Sequence, residues 1–238
     1  MPNPNLALLE TSAQKLAPLL GEIVFVGGCA TGLLINDPGA AAVRKTYDVD
    51  IIAEIASYAD YGIFSERLRL LDFTEDSSEG APLCRWKSKD LILDVMPLDP
   101  TILGFSNRWY EGALRTSRQA ILSKDITIRV ITAPYFLGTK LEAFRGRGKE
   151  DFFASHDLED FVAVIDGRRE IAEELLESEQ PLRDYVASAV TSLLSESRFL
   201  DALPGYLLPD AANQSRISLL MKRLSAIASM KNEADLLT

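Results

Sequence analysis

Arg44-Lys45-Thr46-Tyr47-Asp48-Val49-Asp50-Ile51 sets two carboxylates in strict alternation with aromatic and aliphatic residues. That period predicts a β-strand over residues 47–52, because side chains two apart on a strand share a face. Asp48 and Asp50 then point one way, while Tyr47, Val49 and Ile51 point into a core. At about 3.3–3.4 Å rise per residue the two acids stand roughly 6.6–7 Å apart. Like charges this close repel unless something neutralises them, and a divalent cation is the natural answer. Oxygen-only ligands suit Mg²⁺ or Mn²⁺.

A third acid fits the same picture. In Leu91-Ile92-Leu93-Asp94-Val95-Met96, alternation sets Asp94 opposite Leu91, Leu93 and Val95. A carboxylate inside so apolar a strand is costly without a partner. If this strand lies beside the first, three acids converge, enough for two ions to clamp a triphosphate and activate a hydroxyl. Upstream, Phe25-Val26-Gly27-Gly28-Cys29-Ala30-Thr31-Gly32 runs from an apolar strand (residues 22–26) through glycines toward a short helix (residues 30–35). Glycines let the backbone approach a ligand, and helix-start N–H groups attract phosphate. Neither G-x-x-x-x-G-K-[ST] nor G-x-G-x-x-G is present.

Outward from these segments, residues 6–20 show helical spacing that Pro18 interrupts. A helix is expected over 58–71, a hairpin from 83–87 and 91–96, a helix over 106–118 and a last strand over 126–131. Arg85, Lys87 and Lys89 are expected on one polar face of that hairpin. After Pro134 only helical periods remain: Leu137, Leu141, Phe144; then Leu158, Phe161, Val162, Ile165; then Ile217, Leu220, Met221, Leu224, Ile227. The fold class is therefore α+β, with an α+β half over residues 1–132 and a helical bundle over 133–238. Arg145, Arg147 and Lys149 are expected in a basic connector, Ser155 as an N-cap, His156 at the surface and Cys29 as a packed side chain.

Composition narrows the function. The 238 residues are 47% hydrophobic and 25% charged, as in a globular protein with a sizeable core. A net charge of −10 excludes stable nonspecific coating of nucleic acid, which needs a basic face. Two cysteines exclude a disulfide scaffold or a four-cysteine zinc site, and one histidine excludes HExxH. Residues 1–5 lack the pattern of a signal peptide, and the longest mostly apolar stretch, residues 24–35, has 12 residues and three glycines. That is too short to span a bilayer, so no membrane partner and a cytoplasmic location are expected.

Together these pieces resemble the nucleotidyltransferase superfamily with the DNA polymerase β-like fold. Its signature is an apolar residue before Gly-Gly or Gly-Ser, a spacer, D-h-[DE]-h, and a third acid on a later strand. Val26-Gly27-Gly28, Asp48-Val49-Asp50-Ile51 and Asp94 match it. The closer likeness is to AbiEii/AbiGii-type toxins of type IV toxin–antitoxin systems. Their R-x-[ST]-x-D-x-D run is matched by Arg44, Thr46, Asp48 and Asp50, their downstream helical lysine by Lys140, and a later D-x-x-D by Asp157 and Asp160. The likeness spans about residues 22–168. Cys29 stands where many members have Ser or Thr, with Thr31 as the conceivable substitute. The spacer is longer than in compact members and implies an extra loop, residues 36–42, near the site.

The resemblance implies a mixed sheet flanked by helices, with the helical half completing a nucleotide cleft. It implies transfer of a nucleoside monophosphate from an NTP to a hydroxyl acceptor, an RNA end such as tRNA or a protein, with an antitoxin as possible partner. Asp48 and Asp50 would hold Mg²⁺ or Mn²⁺. Asp94 would bind one ion and help deprotonate the acceptor. Gly27 and Gly28 would cradle the triphosphate, with Thr31, Arg44 and Thr46 nearby. Lys140 would reach the phosphates, and Asp157 and Asp160 would anchor it or contact the nucleotide. Two other readings stand beside this one. One is an antibiotic nucleotidyltransferase, whose acidic surface suits a cationic aminoglycoside. The other is a non-catalytic nucleotide- or partner-binding protein that uses Ile217, Leu220 and Leu224 as its interface.

Overall fold

The computed structural model describes residues 3–147 and 151–234. The chain divides into two compact units. A sheet unit comprises Asn3–Gly32 and Arg44–Thr132; a helical unit comprises Leu33–Val43 and the chain from Ala133 onward.

The sheet unit opens with α1 (Leu6–Lys15), whose last turn gives way to a short 3₁₀ segment carrying Pro18. Strand β1 (Ile23–Val26) is wholly buried and runs directly into α2 (Gly27–Leu34), so the helix begins at the first glycine, earlier than expected. Then follow β2 (Asp48–Ala53), α3 (Tyr58–Leu70), β3 (Thr74–Glu75), β4 (Arg85–Lys87), β5 (Ile92–Met96), α4 (Pro100–Leu103), α5 (Tyr110–Arg115), β6 (Arg118–Ser123) and β7 (Ile126–Val130). The seven strands form one mixed sheet in the order β3-β4-β5-β2-β1-β7-β6. β2 pairs antiparallel with β1 and parallel with β5, while β4 pairs antiparallel with β5. The α+β class with a mixed, helix-flanked sheet is thus the observed one.

Two local expectations are corrected, and two further strands are present. Tyr47 does not point into the core; it precedes β2 and is exposed. The helix expected over 106–118 is only α5, capped at Thr116, and Arg118 already begins the edge strand β6. β6 carries no clean polar–apolar alternation in Arg-Gln-Ala-Ile-Leu-Ser and leaves Ile121 exposed, as an edge permits. The two-residue β3 was also unforeseen.

The helical unit contains α6 (Ala133–Arg147), α7 (His156–Gly167), α8 (Ile171–Leu176), α9 (Gln180–Leu194), α10 (Ser197–Ala202), α11 (Ala211–Gln214) and α12 (Ile217–Ala234). Its core is the set of stripes legible in the sequence: Leu137, Leu141, Leu158, Phe161, Val162 and Ile165 are buried. Helix α12 packs on α9 and α7. Leu220 and Leu224 are fully buried there, so they are core and not a partner interface. Arg145 lies within α6, its guanidinium over the Tyr185 ring, and not in a connector; Lys149 lies outside the described residues.

Residues 36–42 are not a loop of the sheet unit. Asn36 and Asp37 donate their backbone N–H groups to the Gly167 carbonyl (3.0 and 2.9 Å). Arg216 grips Asp166 (2.9 Å) and Asp37 (3.0 Å), tying the segment to the start of α12. The Gly39 N–H and then Arg216 hold the Asp37 carboxyl down at about 2. Its folded value lies below the unfolded one, so its stabilisation is present above about pH 4 and is lost as pH falls toward 2.

Arg216→Ala would strand Asp166, whose side chain is 3% exposed. Removing one partner of a buried pair costs about 3–5 kcal/mol. Urea denaturation at pH 7 should show a loss of that order, and the variant should lose part of the acid-dependent decline between pH 4 and 2, the share of the Gly39 N–H remaining.

Candidate active site

The parallel register of β2 and β5 sets Asp50 directly beside Asp94, and Asp48 beside Ile92. The antiparallel register of β4 sets Arg85 beside Asp94 on the other side, and that of β1 sets Val26 beside Asp50. Arg85, Asp94, Asp50 and the end of β1 therefore form one row across four neighbouring strands. Asp94 is 5% exposed, while Asp48 and Asp50 are half-buried.

The glycines lie at the end of this row. Gly27 has φ +65°, a conformation that suits glycine. A Cβ built on it would come within 2.6 Å of the Asp50 carboxyl carbon and 2.8 Å of its Cβ. A Cβ on Gly28 would meet Thr46 Cγ2 at 2.8 Å and Arg44 Cζ at 3.2 Å. The dipeptide is thus required by what rests on it: Asp50 on Gly27, Arg44 and Thr46 on Gly28. Both halves of the R-x-T-x-D-x-D run meet the glycine bend at the N-terminus of α2.

Asn5, which the sequence reading passed over, holds this arrangement. It is buried, accepts from the Thr46 N–H (3.0 Å) and donates through Nδ2 to the Arg44 carbonyl (3.1 Å). The approach to β2 is pinned by a residue 39 to 41 positions away, with no local pattern to announce it. Thr31 is completely buried with its hydroxyl unpartnered among the described residues, so it presents nothing to a phosphate. Cys29 is packed and donates to the Val26 carbonyl.

Arg85 is the largest correction. It shares a face of β4 with Lys87, but its guanidinium goes to the acids and not to solvent. Its Nε donates to Asp94 Oδ1 (2.8 Å), and its Nη2 donates to Asp94 Oδ2 (2.7 Å) and Asp48 Oδ2 (3.0 Å). The hydrogen bonds to Asp94, reinforced by both carboxylate charges, raise the guanidinium pKa further above its ordinary value. Burial, with the Asp94 and Asp50 charges behind it, pushes the neighbouring Cys84 thiol up to about 12, so it stays protonated.

The donor chemistry suits a hard divalent ion, and a cation already sits between Asp48 and Asp94. That cation is the guanidinium. Among the described residues no three acidic, cysteine or histidine side chains close around an ion site as they stand. Loading an ion on all three acids therefore requires Arg85 to give up bonds.

In the helical unit Lys140 is 6% exposed and pairs with Asp157 (3.1 Å) and Asp160 (2.7 Å). Ser155 caps α7, accepting from the Leu158 N–H, and His156 lies exposed beside Glu159. The structure shows Asp157 and Asp160 anchoring the lysine, which suffices to explain all three in structural terms.

No family model matches the chain, and no curated protein matches it. Among solved structures, the chain is similar to an antigenic nucleotidyltransferase-like protein from Paracoccidioides brasiliensis, at 21% identity and TM-score 0.47, over 83% of this chain and 92% of that one. It is also similar to a candidate nucleotidyltransferase from H. pylori, at 12% identity and TM-score 0.45, over 97% and 96% of the two chains. The functional reading rests on the site's own residues.

Gly27→Ala should displace Asp50 and strain the bend, costing about 1–2 kcal/mol from backbone conformation alone. Thermal unfolding should fall by several degrees, whereas Gly62→Ala, where a Cβ meets nothing within 4 Å, should not lower it. Lys140→Met removes the cation shared by two buried carboxylates and should cost about 3–5 kcal/mol in denaturant titration.

Proposed function

We propose that the chain is a divalent-metal-dependent nucleotidyltransferase that moves a nucleoside monophosphate from an NTP to a hydroxyl acceptor. The observation that carries this reading is the register of Asp50 beside Asp94 with Gly27 directly beneath Asp50. Acids that repel are held together on rigid strands next to a backbone bend able to admit phosphate. Asp48, Asp50 and Asp94 would hold Mg²⁺ or Mn²⁺, which supplies charge neutralisation to the triphosphate.

The chain's own groups do the rest. The first N–H groups of α2 point at the bend, and the Arg44 guanidinium rests on Gly28, giving a positive end for the triphosphate. Asn5 holds the Arg44 backbone in place through its carbonyl. Asp94 is the acid suited to accept the acceptor's proton once Arg85 releases it. Phosphoryl-type transfer needs positioning and charge compensation more than covalent chemistry, and this arrangement offers both. The acceptor is an RNA end or a protein hydroxyl. A toxin role is supported by the match of Arg44, Thr46, Asp48 and Asp50 to the toxin-type run.

One observation favours a second reading, a nucleotide-binding protein without turnover. Arg85 already neutralises Asp94 and Asp48, so the acids can be kept without an ion. Calorimetry showing NTP binding without pyrophosphate release would select it.

The test incubates the protein with each α-labelled NTP, Mg²⁺ and cell extract. Label should enter an RNA or protein species, and Asp48→Ala should lower the rate by about 100-fold or more. If no species gains label, or if Asp48→Ala labels equally, the proposal fails.

A further inference from the structure

The acidic row has a feature that a bare metal site would lack: a resident organic cation. Arg85 reaches Asp94 with two parallel bonds and Asp48 with a third. A bidentate guanidinium–carboxylate pair is among the stronger charge-assisted contacts, and this one is largely shielded, with the Asp94 side chain 8% and the Arg85 side chain 22% exposed. Both Asp94 oxygens are engaged. No oxygen of Asp94 is therefore offered to an ion without competition, whereas Asp50 faces the glycine bend on the other side of Asp94 in the row.

The neighbouring basic residue of β4 behaves differently. Lys87, two positions on, pairs with Asp76 (2.7 Å), away from the acidic row. Of the two cations on that face of β4, only Arg85 is committed to the acids, and the cross-strand register places it directly opposite Asp94.

We infer that Arg85 is the resting counter-cation of the site, and that divalent metal binds by exchange against it. This deepens the proposed function and rests on its metal reading. Arg85 acts as a positioning residue. While seated, it offsets the repulsion between Asp48 and Asp94. When an ion enters, it supplies the same neutralisation, and the guanidinium leaves Asp94 and becomes available to an anionic group such as a phosphate. The exchange breaks and forms no covalent bond: one cation with three hydrogen bonds is replaced by another with oxygen ligands. The apparent metal affinity is accordingly lower than the carboxylates alone would give, because each binding event must displace a bound competitor.

The experiment is Mn²⁺ titration of the full-length protein without nucleotide, read by electron paramagnetic resonance of free Mn²⁺, for the wild type, Arg85→Gln and Arg85→Lys. Arg85→Gln should bind Mn²⁺ about tenfold or more tightly, the size expected for removing a charge-assisted competitor. Arg85→Lys, which keeps charge but loses the fork, should fall between the two. Without metal, Arg85→Gln should melt below the wild type, and Mn²⁺ should restore more of its stability. Should Arg85→Gln fold poorly, the wild type alone decides by NMR of the Arg85 Nε–H group. Saturating Mg²⁺ should shift that resonance toward the value of a solvent-exposed arginine. Equal or weaker Mn²⁺ binding by Arg85→Gln, or an unmoved Nε–H resonance with Mg²⁺ bound, overturns the exchange and leaves the metal reading standing. Absence of Mn²⁺ binding at millimolar concentration in every form overturns both.

Discussion

Like charges crowded on neighbouring strands must be compensated, and in this protein that requirement organises the sheet unit around it. Asp50 and Asp94 are paired by strand register, so they cannot drift apart without breaking the ladder between β2 and β5. Asp48 extends the negative field by two residues. The molecule answers from β4, where Arg85 reaches both Asp94 and Asp48. On the other flank, the backbone itself is cut back to glycine so that Asp50 can lie on it. These features make sense together: strands fix the acids, an arginine balances them, and a side-chain-free bend leaves room beside them.

Much of this was legible in the sequence because it depends on local periods. The spacing of Asp48 and Asp50 fixes a shared face as soon as the strand is granted, and the lone acid in Leu-Ile-Leu-Asp-Val-Met fixes its own. Gly-Gly after an apolar strand announced a bend. The helical stripes after Pro134 became the core of the helical unit. What stayed hidden depends on pairing across the chain. Arg85, Lys87 and Lys89 alternate as a solvent face would, and only the register of β4 against β5 shows that one of them is opposite Asp94. Asn5 sits at a helix start, where asparagine is ordinary, and its partners lie about forty residues away. Alternation alone sets Tyr47 inward, yet β2 begins one residue later and the rule does not reach it. Residues 36–43 lack any period, and their attachment to the Gly167 carbonyl and Arg216 is visible only in three dimensions.

The helical unit carries its own lesson about charge. Lys140, Asp157 and Asp160 form one buried cluster, and Asp37, Asp166 and Arg216 form a second. In both, one cation holds two carboxylates: in the first they lie one turn apart on α7, and in the second they come from different segments. Buried pairs of this kind give specificity of packing more surely than net stability. A loss of activity on mutating Lys140 must therefore be weighed against loss of the fold before a role toward phosphate is assigned to it.

The central claim is that Asp48, Asp50 and the Gly27–Gly28 bend form one site for a metal-bound triphosphate. The most direct measurement is anomalous diffraction at the manganese edge, from crystals grown with Mn²⁺ and a non-hydrolysable NTP. The account predicts a manganese peak at the Asp48 and Asp50 carboxylates, the triphosphate against Gly27 and Gly28, and Arg85 withdrawn from Asp94. A triphosphate bound elsewhere, or no manganese at these acids with Arg85 still seated between Asp94 and Asp48, would contradict it.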